Sequence, residues 1–286
     1  MSAMLSEPFR LGAEHLVACQ ELSIEAGWNQ NKADWCFLLD HGFVLGICRG
    51  EQLVASAGVI PYGDRFGWIC MVLVTTAERR NGLASRLMHA CITWLTGRGA
   101  IAGLDATSAG REVYSRLGFR DIYPITRFQR LDKAVPSHED DSAASIRLLR
   151  SDEMAEVARF DRAEFGESRL ELLAEWQRRM PDIALCSSAS GQIVGYVLGR
   201  EGLTATHIGP LVARDEMSGA ALLRSAIGRA RGPVFIDVPD RHQTLAALLV
   251  SEGFSVQRTF TRMLLGRFEP LDRPERIFAL TGAEFG

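Results

Sequence analysis

The chain has 286 residues, 47% of them apolar and 23% charged, and a net charge of -3. That composition suits one large or two ordinary globular domains and excludes a fibre or a disordered chain. The slightly acidic balance gives no electrostatic reason for nucleic acid or an anionic membrane as partner. No run of about 18 apolar residues occurs, so no transmembrane helix is expected. The first residues, Met1 to Glu7, lack a basic segment followed by a long apolar one, the mark of a secretory leader. The six cysteines are scattered, with no Cys-x-x-Cys. They read as free thiols serving as small core residues in a reducing, cytoplasmic setting.

In chain order the pattern predicts a strand near 8–11, helices near 13–25 and 31–40, and strands near 42–48, 52–61 and 66–74. A helix over 82–96, a strand over 101–106, a short helix over 110–117 and closing strands to 131 follow. The 82–96 helix is the clearest, because Leu83, Leu87, Met88, Cys91, Ile92 and Leu95 share one face. The polar, acidic stretch from Pro136 to Ser145 then reads as a linker.

The two sides of that linker look alike. Phe9-Arg10-Leu11 answers to Ile146-Arg147-Leu148, and the turn at Gly50 answers to the turn at Gly191. Gly118-Phe119 answers to Gly253-Phe254, and the run Thr126–Arg130 to the run Thr259–Met263. Four matches in one order at an offset near 135 residues point to a duplication. The expected domains are therefore 1–133 and 146–286, joined by 134–145.

The chemistry concentrates in Val72–Ser85. An apolar strand ending at Val74 runs into a loop holding Arg79, Arg80, Asn81 and Gly82, which opens a helix at Leu83, Ala84 and Ser85. Helix starts offer unpaired N–H groups and partial positive charge, and small residues let a phosphate group approach the backbone. The two arginines add charge-assisted donors. No Gly-Lys-Ser/Thr and no Gly-x-Gly-x-x-Gly is present, so neither a Walker A loop nor a dinucleotide fingerprint accounts for the segment.

Arg79-x-x-Gly82-x-Ala84 and Tyr114-x-x-x-Gly118-Phe119 together resemble the GCN5-related N-acetyltransferase superfamily. The resemblance covers most of residues 8–131. It implies an α/β (α+β) fold of two tandem domains, each a mixed, mainly antiparallel twisted sheet flanked by helices. It implies acetyl-CoA as co-substrate, with the backbone of Val72 and Val74 on the pantetheine arm and Arg79–Ser85 on the pyrophosphate. Thr107 stands where the family often has a pantetheine-binding Asn, and Tyr114 stands where it has a general acid. The implied partner is a small-molecule or peptide amine. Both a single-chain arrangement and a homodimer fit, and no metal is expected because the six histidines show no ligand spacing.

Acetyl transfer needs a neutral amine and a proton for the departing thiolate. A lysine-like amine with a pKa of about 10.4 starts with a handicap of roughly 4–5 kcal/mol at neutral pH. A tyrosine hydroxyl suits the acid, and backbone N–H near Val74 suits the thioester carbonyl. By residue type Glu21, Glu25, Asp105 and Glu112 are the candidates for base. The resemblance extends to tandem acetyltransferases of the enhanced-intracellular-survival kind, whose C-terminal carboxylate reaches the first domain's active site. That adds Gly286 as a candidate.

The second half keeps Gly219 and Ala221 but has Met217 in place of Arg79 and Leu249 in place of Tyr114. It reads as a non-catalytic copy that shapes the acceptor pocket. Asp237, Asp240 and Arg262 either hold a polar acceptor or are a strand-end turn and a surface charge. Trp28-Asn29-Gln30 either lines that pocket or caps a helix at Asn29. Trp35 and Trp68 read as packing residues.

Overall fold

The computed structural model describes residues 4–131 and 146–286; the expected linker, 134–145, lies outside the described residues. The first half runs β1 (Phe9–Arg10), α1 (Leu16–Glu25), α2 (Lys32–His41), β2 (Phe43–Arg49), β3 (Gln52–Tyr62), β4 (Phe66–Val74), α3 (Leu83–Thr96), β5 (Ile101–Thr107), α4 (Ser108–Arg116) and β6 (Phe119–Arg130). The second half runs β7 (Arg147–Leu148), α5 (Met154–Phe165), α6 (Leu170–Arg179), β8 (Leu185–Ala189), β9 (Gln192–Glu201), β10 (Thr206–Ala213), α7 (Glu216–Arg229), β11 (Val234–Pro239), α8 (Gln243–Ser251), β12 (Ser255–Leu265) and β13 (Ile277–Ala279).

Every element from β1 to β6 has a counterpart from β7 to β12 in the same order, as the internal repeat predicts. Only β13 has none. The expected closing strands of the first half are one strand, β6.

The chain forms two compact units that do not follow the sequence halves. The first holds Met1–Leu104 and Phe285; the second holds Asp105–Glu284 and Gly286. Strand β6 explains the difference. It lies between β12 and β11, antiparallel to both, with Phe119–Gln129 along β12 and Ile125–Arg130 along β11. Its backbone groups are thus satisfied by second-half strands.

In the first unit β1, β2, β3 and β4 are antiparallel neighbours, and β5 joins β4 in parallel. Helix α3 covers this sheet through Leu83, Leu87, Met88, Cys91 and Leu95, each at most 1% exposed. Burying each of the leucines and the methionine is worth about 1.5–3 kcal/mol. Ile92, expected on the same face, is only half-buried. Trp35 and Trp68 are core residues, and Trp35 Nε1 donates to Ser23 Oγ at 2.9 Å, tying α2 to α1.

The second unit's sheet has the order β12-β6-β11-β10-β9-β8-β7, with β13 paired to β10. Its core gathers Leu222, Leu223, Ala226 and Ile227 of α7 against Leu185, Val197, Ile208 and Leu211. No helix among the described residues is long and apolar enough to cross a membrane.

Candidate active site

Strand β4 carries an irregularity at the place the sequence singled out. Ser56 of β3 faces Leu73 and Gly58 faces Cys70, so Ala57 lies opposite two residues, Met71 and Val72. Met71 has φ +51° there, and its carbonyl accepts from the buried Ser56 Oγ at 2.9 Å. A bulge of this kind bends the strand and turns backbone groups out of the ladder. The parallel pairing of β4 with β5 covers only Phe66–Trp68 against Ile101–Gly103. Beyond it the two strands diverge, leaving the β5-side edge of β4 from Ile69 to Val74 outside that ladder. Val72 and Val74 are half-buried on this edge.

The divergence leads to the start of α3. Arg79, Arg80, Asn81 and Gly82 are exposed, Ala84 and Ser85 half-buried, and Leu83 anchors the helix in the core. Gly82 is the residue before the helix, at φ +74°, with no side-chain cap. Nothing lies within 4 Å of where its Cβ would be. The backbone there is open to a ligand and left-handed, which glycine adopts at little cost. The uncapped N–H groups fit an anion.

Arg79 Nε reaches the Val74 carbonyl at 3.4 Å, folding the loop back on the strand. Beneath the loop, Glu78 accepts from Arg49 Nη2 at 2.7 Å and from Asn81 Nδ2 at 3.2 Å. The hydrogen bonds from Arg49 hold the Glu78 carboxyl below its usual range. The sequence reading missed this brace, although Glu78 and Asn81 stand three apart inside the loop.

Thr107 and Tyr114 belong to the second unit. Thr107 caps α4, its Oγ1 accepting from the Gly110 N–H at 3.2 Å, which leaves its own hydrogen to donate. The Tyr114 ring lies over Gly110, where an added Cβ would sit 2.8 Å from it, and 6.2 Å from the Phe119 ring. Its hydroxyl has no hydrogen-bond partner among the described residues, and burial pushes its pKa up to about 12. Such a phenol stays protonated across the physiological range.

The carboxylate candidates sort by what they touch. Glu25 Oε1 accepts the Thr76 N–H at 2.6 Å, and that bond holds its pKa down. It pins the loop after β4 to the end of α1. Glu112 pairs with Arg116 on the exposed face of α4, and Glu21 is exposed. Asp105 is buried, taking Arg262 Nε at 3.0 Å and Nη2 at 2.9 Å. Arg262 Nη1 also meets Asp272 at 2.6 Å, which in turn accepts from the Tyr123 hydroxyl at 2.6 Å. Burial works against the Arg262 charge, but Asp105 and its neighbours hold the guanidinium well above its usual value. Arg262 is therefore a buried linchpin, not a surface charge.

The other second-half candidates also make hydrogen bonds within the fold. Asp237 lies opposite Arg127 in the β11–β6 ladder and binds it through both oxygens, at 2.6 and 2.7 Å. Asp240 accepts from Thr126 Oγ1 at 2.8 Å. Gly286 is buried, its oxygen 3.2 Å from Nη1 of Arg169, which also binds Asp161. The helix cap expected at Asn29 is instead Asn31, whose side chain accepts from the Asp34 N–H. Asn29 and Gln30 are buried.

Two family models match the chain: one described as acetyltransferase (GNAT) family over residues 11–119, the other as acetyltransferase (GNAT) domain over 157–279. The uncharacterized N-acetyltransferase YitH of Bacillus subtilis is 26% identical over 258 residues, covering 88% of each chain. A holothin acyltransferase of a Pseudoalteromonas species is 26% identical over 250 residues, covering 86% of this chain and 82% of its own. Among solved structures, a putative acetyltransferase from Pyrococcus horikoshii superposes with TM-score 0.80 at 18% identity, covering 99% and 96%. A tandem GNAT protein from the clavulanic acid biosynthesis pathway superposes with TM-score 0.60 at 15% identity, covering 91% and 98%. With both halves matched and a bulged, diverging strand leading to an open helix start, the chain is a tandem two-domain member of the GCN5-related N-acetyltransferase superfamily, an acyltransferase of a family that implies an acyl-CoA co-substrate and an amine acceptor.

Proposed function

We propose that the chain transfers acetyl from acetyl-CoA to a primary amine of a small molecule or peptide, by direct attack, with residues 1–133 as the catalytic domain and 146–286 as a non-catalytic one. The observation that carries the reading is the divergence of β4 from β5 running into the uncapped helix start at Gly82. The free edge of β4 at Val72 and Val74 offers the pantetheine arm strand-like hydrogen bonds. Arg79, Arg80, Asn81 and the helix start from Gly82 to Ser85 hold the pyrophosphate, and the Thr107 hydroxyl donates to the arm.

In the transfer the amine nitrogen bonds to the acyl carbon while the carbon–sulfur bond breaks. The amine gives up a proton to water, and the sulfur takes one from Tyr114. Support for Tyr114 comes from its place in Tyr114-x-x-x-Gly118-Phe119 and from a hydroxyl that stays protonated and makes no other hydrogen bond among the described residues. The pairing of Asp105 with Arg262 and of Glu25 with Thr76 argues against either as a free base.

A relative's name specifies acyl rather than acetyl, which favours a second reading, transfer of a larger acyl group. Calorimetric titration with acetyl-CoA, followed by thiol release in the presence of amines, tests the proposal. One equivalent bound and amine-dependent release of CoA are expected. Absence of binding overturns the reading, and binding without turnover on any amine leaves a regulatory acyl-CoA sensor in its place.

A further inference from the structure

The second half repeats the β4 bulge. In β10, Ile208 faces Gly199 and Leu211 faces Val197, so Leu198 lies opposite both Gly209 and Pro210. This places Gly209 on Met71, Pro210 on Val72 and Val212 on Val74. Gly209 also has a positive φ, +150° against +51° at Met71. The parallel pairing of β10 with β11 is shorter still, only Thr206–His207 against Val234–Phe235. Beyond it β10 and β11 part, as β4 and β5 do.

Here the gap is filled. Strand β13 pairs antiparallel with β10, Ala279 facing Leu211 and Ile277 facing Val212. On the other side the Leu280 N–H donates to the Asp237 carbonyl of β11 at 2.8 Å. The Ala213 N–H donates to the Arg276 carbonyl at 3.1 Å, extending the seam. Ile277, Phe278, Ala279 and Leu280 are all at most 2% exposed. The Phe278 ring lies against Gly219 of α7, where a Cβ would meet it at 3.1 Å, and packs tilted on His242 at 4.3 Å between ring centroids. Among the described residues no strand enters the equivalent gap of the first half, where β4 pairs only with β3 and β5.

We propose that β13 is a fixed internal occupant of the second half's acyl-CoA cleft, with its main chain in the place of the pantetheine arm and Phe278 over the helix start. The proposal rests on reading the β4–β5 gap as the acyl-CoA cleft of the first half. Pro210 fits it, because proline has no N–H to offer an arm at the position of Val72. Gly209 fits it too, because any Cβ there would come within 1.9 Å of the Leu280 carbonyl. The second half thus lost its ligand to a piece of its own chain, apart from the change at Leu249. Met217, expected in place of Arg79, instead lies inside α7, which starts four residues after Val212 where α3 starts nine after Val74, so the loop of Arg79 has no counterpart.

Hydrogen exchange on the full chain, with and without acetyl-CoA, tests this alongside the binding stoichiometry. Amides of 206–213 and 277–280 should be protected, unchanged by saturating acetyl-CoA, with no more than one equivalent bound. Gly209→Ala should selectively lose protection at 277–280. Rapid exchange at 277–280 in the unaltered chain, a change there on adding acetyl-CoA, or a second bound equivalent would each overturn the proposal. If no acetyl-CoA binds at all, the first-half reading fails, while protection at 277–280 still supports the internal strand.

Discussion

Ile125 of β6 and Phe260 of β12 face each other across an antiparallel pair. They hold the same place in the two sequence repeats, each seven residues after the glycine that follows the short helix, Gly118 or Gly253. Antiparallel pairing of equivalent residues is what a local two-fold axis produces, so the duplicated halves meet strand to strand on their own copies. The pairing holds Arg127 against Asp237 on one flank of β6 and Tyr123 beside Arg262 on the other.

Tyr114→Phe removes the proposed acid and little else, since the hydroxyl has no partner among the described residues. Turnover should fall about 10²–10⁴-fold, the usual worth of a positioned acid. Calorimetric affinity for acetyl-CoA should stay within a few-fold. Equal loss of binding and turnover would make the ring a packing element instead.

The pH profile follows from the same group. With Tyr114 protonated up to a pKa of about 12, the thiolate's proton source is present throughout the accessible range. The amine acceptor is the limiting ionisation, with an ordinary pKa of about 10.4 for a lysine-like group. Steady-state kcat/KM should rise with pH toward that value and show no falling limb below about pH 11. A falling limb near neutrality would assign the acid elsewhere.

Arg79→Ala and Arg80→Ala should weaken acetyl-CoA binding, each by about 10–100-fold, in line with about 1.5–3 kcal/mol for a hydrogen bond to a charged group. Dephospho- and desulfo- analogues, titrated in parallel, show which end of the co-substrate each arginine serves. Unchanged affinity in both variants would remove the loop from the binding site.

Arg262→Met strands two buried carboxylates, Asp105 and Asp272. Breaking a buried pair from one side costs about 3–5 kcal/mol, read as a lower urea midpoint at unchanged slope. Arg262→Lys should recover only part, because an ammonium cannot bind Asp105 through two nitrogens and reach Asp272 as well.

His207 is buried beside β13, its Nε2 3.2 Å from the Leu280 carbonyl, so the neutral ring donates that hydrogen. Burial pulls its pKa down to about 4. A histidine depressed from 6.5 in the folded state costs nothing above pH 6.5. As pH falls from 6.5 to about 4 the unfolded chain takes up the proton first, and stability is lost. The loss is at most about 3 kcal/mol, and His207→Asn should flatten the stability slope in that window.

The elements were legible because each is locally marked. Helix α3 follows from its apolar face, and the hairpin turns from Gly50 and Gly191. The exposed loop from Arg79 to Gly82 and the helix start behind it were legible because charge and small residues adjoin in the chain. What escaped was non-local. Nothing around Arg262 foretells Asp105, 157 residues earlier, as its partner. Ile277–Ala279 reads as three apolar residues near a chain end, and only the widened gap beside β10 makes them a strand. The cap moved from Asn29 to Asn31 because both asparagines suit the role, and Asp34 stands three residues after the second.

The place of β6 between β11 and β12 bears on how the molecule is made. The strand leaves the ribosome more than 100 residues before either neighbour exists, so its hydrogen-bonding edges wait bare during synthesis. A gene cut after residue 133 gives no pair of self-sufficient products. The downstream piece has two strands flanking an empty slot, and the upstream piece carries the strand that belongs in it. Joining the two halves in one chain keeps the strand beside its slot, and mixing the separate fragments should restore the pairing that neither alone can make.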